Sequence, residues 1–331
     1  GVGGHGCCFV FHKSDKYKTV ALRADLDALP IQENNNITYR SQHEGVSHKC
    51  GHDGHMTMLC GVLDYLQEIK VNLVLLFQPA EETGEGARRM VMDEKFKNLK
   101  VDYIFGLHNL PGIKEKKILS RDGVFACSSV GMKIKVEGVA AHAAEPQKAQ
   151  TPYPLIESIF KYIKENNHYE LDDQFKIITM THLNIGEESF GITPGEGEIF
   201  LTLRSIKNDF INKFKDDLKQ LCDQSELKYT IEYLDEFPAL VNSNSAYKII
   251  EQAASCFDFE KMDVPFKWSE DFGHFTSSTE GAYFGLGVGE DHFNLHHPEY
   301  DFNDGVLEVG ISFYKSLLDT IASTDNPNSE N

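Results

Sequence analysis

Three stretches of the chain are apolar almost without interruption: 18–23 (KTVALR), 71–77 (VNLVLLF) and 101–106 (VDYIFG). Runs of this length with so little alternation fit strands of a parallel sheet covered on both faces. Each gives way at once to polar residues: Asp25 and Asp27 after the first, Glu81 and Glu82 after the second, His108 after the third. Open α/β sheets bind ligands at the carboxyl ends of their strands, so these polar residues are the first place to look for chemistry. Between the first two runs, 55–69 carries Met58, Leu59, Val62 and Leu66 at helical spacing.

The middle of the chain has another rhythm. Residues 130–137 alternate as a half-buried strand, 151–165 read as an amphipathic helix, and 175–183 and 198–204 read as strands about a Gly/Pro-containing loop. Residues 209–225 predict a charged helix with Phe210, Phe214, Leu218 and Leu221 along one face, and 228–233 alternate again. The order is β-α-β-β-α-β, a ferredoxin-like split unit. After Pro238 the pattern returns to α/β, with a helix at 246–255, a strand at 282–287 and a last helix at 306–321. The expectation is an α/β domain at 1–127 and 239–331 with a smaller α+β domain, 128–238, inserted in it. The tail 323–331 is polar and is expected to fray.

At 331 residues the chain is long enough for two cores, which agrees with that division. A net charge of −19 argues against nucleic acid or an anionic membrane surface as partner. No apolar run is long enough to span a bilayer. Seven cysteines without framework spacing suit a reducing compartment, and the cytoplasm is the expected location.

The densest chemistry lies in His48-Lys49-Cys50-Gly51-His52-Asp53-Gly54-His55, where a thiol, three imidazoles and a carboxylate stand beside two glycines. Thiolate, imidazole and carboxylate are the groups that bind divalent transition metals. Cys50 and His52 are two apart and cannot share a helix face, so they converge only from a loop or an extended segment. The same residues also fit a Gly-rich helix entry with a buried cysteine and solvated histidines. Glu81 and Glu82 are adjacent, so their side chains diverge. One can ligate a metal while the other takes a proton, the Lewis acid and general base of metal-assisted hydrolysis. An acidic helix start is the plainer alternative. His108 and the pair His296-His297 are each ambiguous alone, and His142 has no partner near it in sequence. Their joint occurrence with strand ends is what favours a folded catalytic site.

The segments ALRADLDALP, HKCGHDGHMTML, FQPAEETGEGARRM, FGLHNLPG, SEDF and HHPEYDFND follow one another in the order of motifs in the metallopeptidase-20 amidohydrolases. The chain resembles the branch of hippurate hydrolases, auxin-conjugate hydrolases and N-acetyl-diaminopimelate deacetylases. That resemblance covers nearly the whole chain. It implies a zinc-peptidase-like catalytic domain with a mainly parallel sheet and an inserted lid domain through which homodimers form. It implies Cys50, His52, Glu82, His108 and His296 as ligands of two divalent ions, zinc or manganese, with Glu81 as general acid/base. It further implies His142 as a lid histidine, Arg204 as a substrate-binding arginine, and an N-acyl amino acid as substrate. Asp25 or Asp27 is expected to orient a ligand. The segment that opens the family's catalytic domain is expected to be missing ahead of Gly1.

The departures from the pattern lie in the lid. Ala140-Ala141 replaces a Gly-Gly, Gly191 replaces an asparagine, and 147–153 lack an Asp-Pro. Two rivals remain. A metallopeptidase for dipeptides or peptide C-termini is disfavoured by Cys50, since such relatives generally place aspartate there. An inactive binding protein that keeps only the fold has no need of Glu81.

Overall fold

The computed structural model describes residues 1–324. The chain forms two compact units, one of Gly1–Phe125, Leu240–Asp263 and the chain from Glu270 on, the other of Ala126–Ala239 and Val264–Ser269. The sequence reading, with breaks after 127 and 238, does not anticipate the return of Val264–Ser269. In that return, the Cys127 amide donates to the carbonyls of Phe266 and Trp268, both at 3.1 Å.

The larger unit is built on a seven-stranded sheet in the order Cys7–Phe11, Asn72–Gln78, Thr19–Asp25, Tyr103–Pro111, Gly281–Gly289, Ile118–Ser120, Phe259–Lys261. Its four central strands pair in parallel. Helices His52–Gly61, Asn244–Ala253 and Leu307–Thr324 pack beside it. Leu22, Leu75, Phe105 and Phe284 meet Leu59, Phe313 and Leu317 in one core. The mainly parallel α/β fold expected from the apolar runs is the fold observed. Among the described residues no helix is long and apolar enough to cross a membrane.

The elements differ from their expected bounds in instructive ways. The helix expected at 55–69 begins at His52 and tightens into a 3₁₀ turn at Val62–Tyr65. The strand expected to stop at 106 runs on to Pro111, so His108 stands within it. The outer strands Cys7–Phe11, Ile118–Ser120 and Phe259–Lys261 were not anticipated, being short or half exposed. Of the tail expected to fray, Ser323 and Thr324 close the last helix, and the rest lies outside the described residues.

The smaller unit has an antiparallel sheet in the order Lys228–Phe237, Ser128–Glu137, Glu196–Ser205, Lys176–Ile185. With helices Tyr153–Asn166 and Asn208–Gln224 this is a β-α-β-β-α-β unit in strand order 4-1-3-2. Alternation in Ser128–Glu137 sends Val130, Met132, Ile134 and Val136 into its core. The second helix buries Ile211, Phe214, Leu218 and Cys222, a face turned from the expected one. Phe210 and Leu221 are half buried, and Phe210 lies under the ammonium groups of Lys176 and Lys207.

Candidate metal centre

Adjacent strand ends and one helix start deliver the chemistry-bearing side chains. Asp25 is the last residue of Thr19–Asp25, Gln78 the last of Asn72–Gln78, and His108 lies near the end of Tyr103–Pro111. Glu81 and Glu82 sit in a turn introduced by Ala80 at φ 52°, whose carbonyl accepts from the Glu85 and Gly86 amides. The next helix begins only at Gly86, so the acidic-helix-start alternative does not describe this pair. Cys50 precedes Gly51, which turns the chain into helix His52–Gly61 at φ 86°. A Cβ at Gly51 would lie 2.6 Å from Asn109 Oδ1, so glycine is required both for the turn and for the close approach.

His296 arrives from a loop at φ 66°. For a non-glycine residue this backbone costs roughly 1–3 kcal/mol and persists only where its surroundings impose it. The imposing contact is the His296 amide donating to the Lys49 carbonyl at 2.7 Å. Lys49 is itself buried, and its Nζ donates to Glu33 Oε1 at 2.6 Å and to the Tyr300 carbonyl at 2.7 Å.

The five expected ligands converge. Cys50 Sγ lies 3.5 Å from His108 Nε2. Glu82 Oε1 lies 3.8 Å from His52 Nε2 and 3.4 Å from His296 Nε2. Donor atoms of Cys50, His52 and His108 fall within 4.8 Å of one another, and so do those of Cys50, Glu82 and His296. Cys50 belongs to both sets. A third set joins His52 and Glu82 to Glu81. Ligand bonds of about 2.0–2.3 Å put neighbouring ligand atoms of one ion at just such separations.

The orphaned atoms test the fit. His52 Nε2 and Glu82 Oε1 are buried without a hydrogen-bond partner, a costly condition that a bound cation relieves. The other ring nitrogens are occupied: His52 Nδ1 stands 3.0 Å from the Asp27 carbonyl and His108 Nδ1 2.8 Å from the Asn109 carbonyl. Both rings therefore direct Nε2 inward, in the manner of metal-binding histidines held by an outer partner. The residues present fit divalent metal.

Burial and crowding dominate the electrostatics. Burial, then Glu82 and Glu81, push the Cys50 thiol well above its usual range. Burial, with Glu270 and Asp271 next, raises Glu81 well above an ordinary carboxyl. Burial opposes the charge on His52, yet Asp25 and Asp27 outweigh it and lift the imidazole to about 9. Burial and the neighbouring His55 lower His108 to about 4. Glu82 is lowered despite its burial, because His296 and His52 stand beside it.

The two aspartates divide their work. Asp27 flanks His52 through its carbonyl and also accepts from the Glu82 amide at 3.1 Å. Asp25 lies 3.7 Å from His52 Nε2 and bonds His55 Nδ1 at 2.6 Å. Sequence reasoning assigned no role to His55, Asn109, Arg23, Glu270 or Asp271, all of them buried around this centre. The available signal was a set of charges inside apolar strand runs and in SEDF.

Two expected site residues belong to the smaller unit. His142 ends the two-residue strand Ala141–His142, paired with Ile192–Thr193, and is exposed. Arg204 is half buried in Glu196–Ser205, and its Nη1 donates to the Lys267 carbonyl at 3.2 Å and to Ser269 Oγ at 3.3 Å.

A metal-competent cluster at the carboxyl ends of a parallel sheet, with the buried Glu81 beside it, defines a metal-dependent hydrolase. The comparisons say which. Residues 21–320 match the model of Peptidase family M20/M25/M40, and the chain belongs to that family. It is 32% identical to the hippurate hydrolase of Campylobacter jejuni over 96% of this chain and 85% of that one. A putative aminohydrolase from methicillin-resistant Staphylococcus aureus shares the fold with a TM-score of 0.82 at 24% identity, over 96% of this chain and 85% of that one. A Bacillus subtilis dinuclear metal-binding peptidase of the M20 family does so with a TM-score of 0.79 at 22% identity, over the same shares. The chain is an amidohydrolase of this metal-dependent family.

Proposed function

We propose that the protein cleaves the amide bond of N-acyl amino acids, with two divalent ions held by Cys50, His52, Glu82, His108 and His296. The observation that carries this reading is the place of Cys50 in both ligand sets, with Glu81 beside them. A thiolate available to both groups would let Cys50 serve each of the two ions. Thiolate and imidazole favour zinc, while the carboxylate admits manganese. Bound ions of this kind supply Lewis acidity toward the acyl carbonyl and lower the pKa of the attacking water.

The residues do the rest. Glu81, which this reading leaves outside the five ligands, accepts the proton of the attacking water and returns it to the leaving amine nitrogen. The water oxygen becomes bonded to the acyl carbon, the C–N bond breaks, and a carboxylic acid and an amino acid leave. Asp27 and Asn109 hold the ligand imidazoles through their backbone carbonyls. Arg204 is assigned to the substrate carboxylate and His142 to the developing oxyanion, the latter across a homodimer formed by the smaller unit. The cytoplasm is the proposed location.

The hippurate hydrolase relative supports an acyl amino acid in place of a dipeptide. The test is a panel of benzoyl-, acetyl- and indoleacetyl-amino acids beside unblocked dipeptides. The reading expects turnover of the acylated compounds. Turnover confined to the dipeptides would support the peptidase alternative, and no turnover with metal bound would support the inactive binding protein.

A further inference from the structure

One buried cation has partners that reach the metal centre from two sides. Arg23 is fully enclosed, and each of its five N–H groups has an acceptor. Nε donates to Gln78 Oε1 at 2.8 Å. Nη1 donates to Asp25 Oδ2 at 2.8 Å and to Tyr283 Oη at 3.2 Å. Nη2 donates to Glu270 Oε1 at 3.0 Å and to Asp271 Oδ1 at 3.2 Å. A guanidinium is the only side chain that can make this many bonds in fixed directions.

Its partners lead in two directions. Asp25 goes on to His55 Nδ1 at 2.6 Å and stands 3.7 Å from His52 Nε2. Glu270 and Asp271 go on to Glu81, since all three carboxylates offer oxygens within 4.8 Å of one another. These acids are held from behind as well. Glu270 accepts from Tyr283 Oη at 2.7 Å and from the Phe272 amide at 3.1 Å. Asp271 accepts from Gln78 Nε2 at 2.8 Å and from the Ala87 amide at 2.9 Å. Arg23 is thus the shared donor of a rigid frame with the His52 ligand at one end and the Glu81 carboxylate at the other.

We propose that Arg23 is the positioning residue of this centre: its guanidinium fixes Asp25 beside His52 and the Glu270–Asp271 pair behind Glu81, and so sets the spacing of ligand and base. The inference rests on the reading of His52 as a ligand and Glu81 as the base. A lysine keeps the charge but replaces the five-donor fork by a point, so Arg23→Lys separates position from charge.

The test measures Zn²⁺ affinity by competition with a chromophoric chelator, together with kcat and KM for hippurate, on the full chain. Arg23→Lys is expected to lose roughly ten- to a hundredfold in Zn²⁺ affinity and a similar factor in kcat, because Asp25 beside the inward nitrogen of His52 and the acids behind Glu81 shift with the guanidinium, with KM little changed. Adding Asp25→Asn to Arg23→Lys should cost less Zn²⁺ affinity than Asp25→Asn costs alone, because both act through one contact. A folded Arg23→Lys protein with unchanged Zn²⁺ affinity and kcat, or full additivity with Asp25→Asn, overturns the proposal. Should Arg23→Lys fail to fold, Tyr283→Phe removes one hydroxyl of the frame without altering charge. It is expected to lower kcat several-fold, up to about tenfold, while sparing Zn²⁺ affinity, and an unchanged kcat overturns the proposal. If the wild-type protein hydrolyses no acyl amino acid, the proposed function fails by itself, and loss of Zn²⁺ affinity in Arg23→Lys still supports the frame at its His52 end.

Discussion

The two units treat charge in opposite ways. In the smaller one, the buried residues are apolar apart from Ser128, Ser129 and Ser205. Its ion pairs lie at the surface, partly or fully open to solvent: Glu198 faces Lys133 at 3.1 Å and Lys135 at 3.4 Å, and Lys213 meets Asp217 at 2.6 Å along a helix. In the larger unit Arg23, Asp25, Lys49, His52, His55, Glu81, Glu270 and Asp271 are all buried. Taking such groups out of water is expensive, and several kcal/mol per ion is typical. One unit keeps its charges out of its core, while the other gathers them around the metal-competent cluster. A concentration of buried charge is what separates a site from a scaffold in this molecule.

The sharpest way to break that contrast is at Glu81. Glu81→Gln keeps the shape but cannot accept a proton, and turnover of acyl amino acids should fall by at least about a thousandfold. Metal content, read by elemental analysis, should stay as in the wild type. Glu82→Gln should instead lose metal, so exchanged phenotypes would reverse the two roles.

His142 probes whether the smaller unit contributes chemistry as well as support. His142→Ala should lower kcat on the order of a hundredfold, the size expected for one oxyanion donor, with metal content unchanged. Activity recovered on mixing inactive Glu81→Gln and His142→Ala chains would mean a site shared between subunits. No recovery with exchange confirmed would mean that each chain is self-sufficient.

Metal affinity should climb with pH. Without metal, Cys50 holds its proton because burial and then Glu82 and Glu81 raise it, and His52 holds one up to about 9. A binding cation must displace both, so affinity should rise roughly ten- to a hundredfold per pH unit between pH 6.5 and 8.5, as chelator competition can measure. The metal-free fold has the opposite dependence. Since the folded pKa of His52 lies above its unfolded value, the stability it contributes is complete below about pH 6.5 and is lost as pH rises through about 9.

The smallest effect belongs to the scaffold. Lys213→Ala removes an exposed i,i+4 pair with Asp217. It should shift the unfolding free energy by less than about 0.5 kcal/mol in a denaturant titration and leave turnover unchanged.

How legible each region was follows from the same contrast. The central strands could be read because burial on both faces leaves unbroken apolar runs such as VNLVLLF, whose placement is local information. The strand ends pointed to Asp25, Glu81 and His108 for the same reason. Outer strands such as Phe259–Lys261 could not be read, since three half-exposed residues carry no period. The face of Asn208–Gln224 was misplaced because Phe210 is as apolar as Ile211, and only packing decides between them. The Arg23 frame was invisible for a further reason. Its members are 247 and 248 positions apart in sequence, and nothing local says that a charge in KTVALR meets one in SEDF. His52 and Cys50 were legible as ligand types, whereas the meeting of Cys50 with His52 and His108 on one side and with Glu82 and His296 on the other follows only from the fold.

That shared place is the centre of the account, and metal counting in Cys50→Ser tests it most directly. Elemental analysis of the purified wild-type protein should find about two divalent ions per chain. Replacing the thiolate by a neutral hydroxyl should bring the count well below one, because both ions lose the same ligand. A wild-type protein that is metal-free and fully active, or a Cys50→Ser protein that keeps both ions, would contradict it.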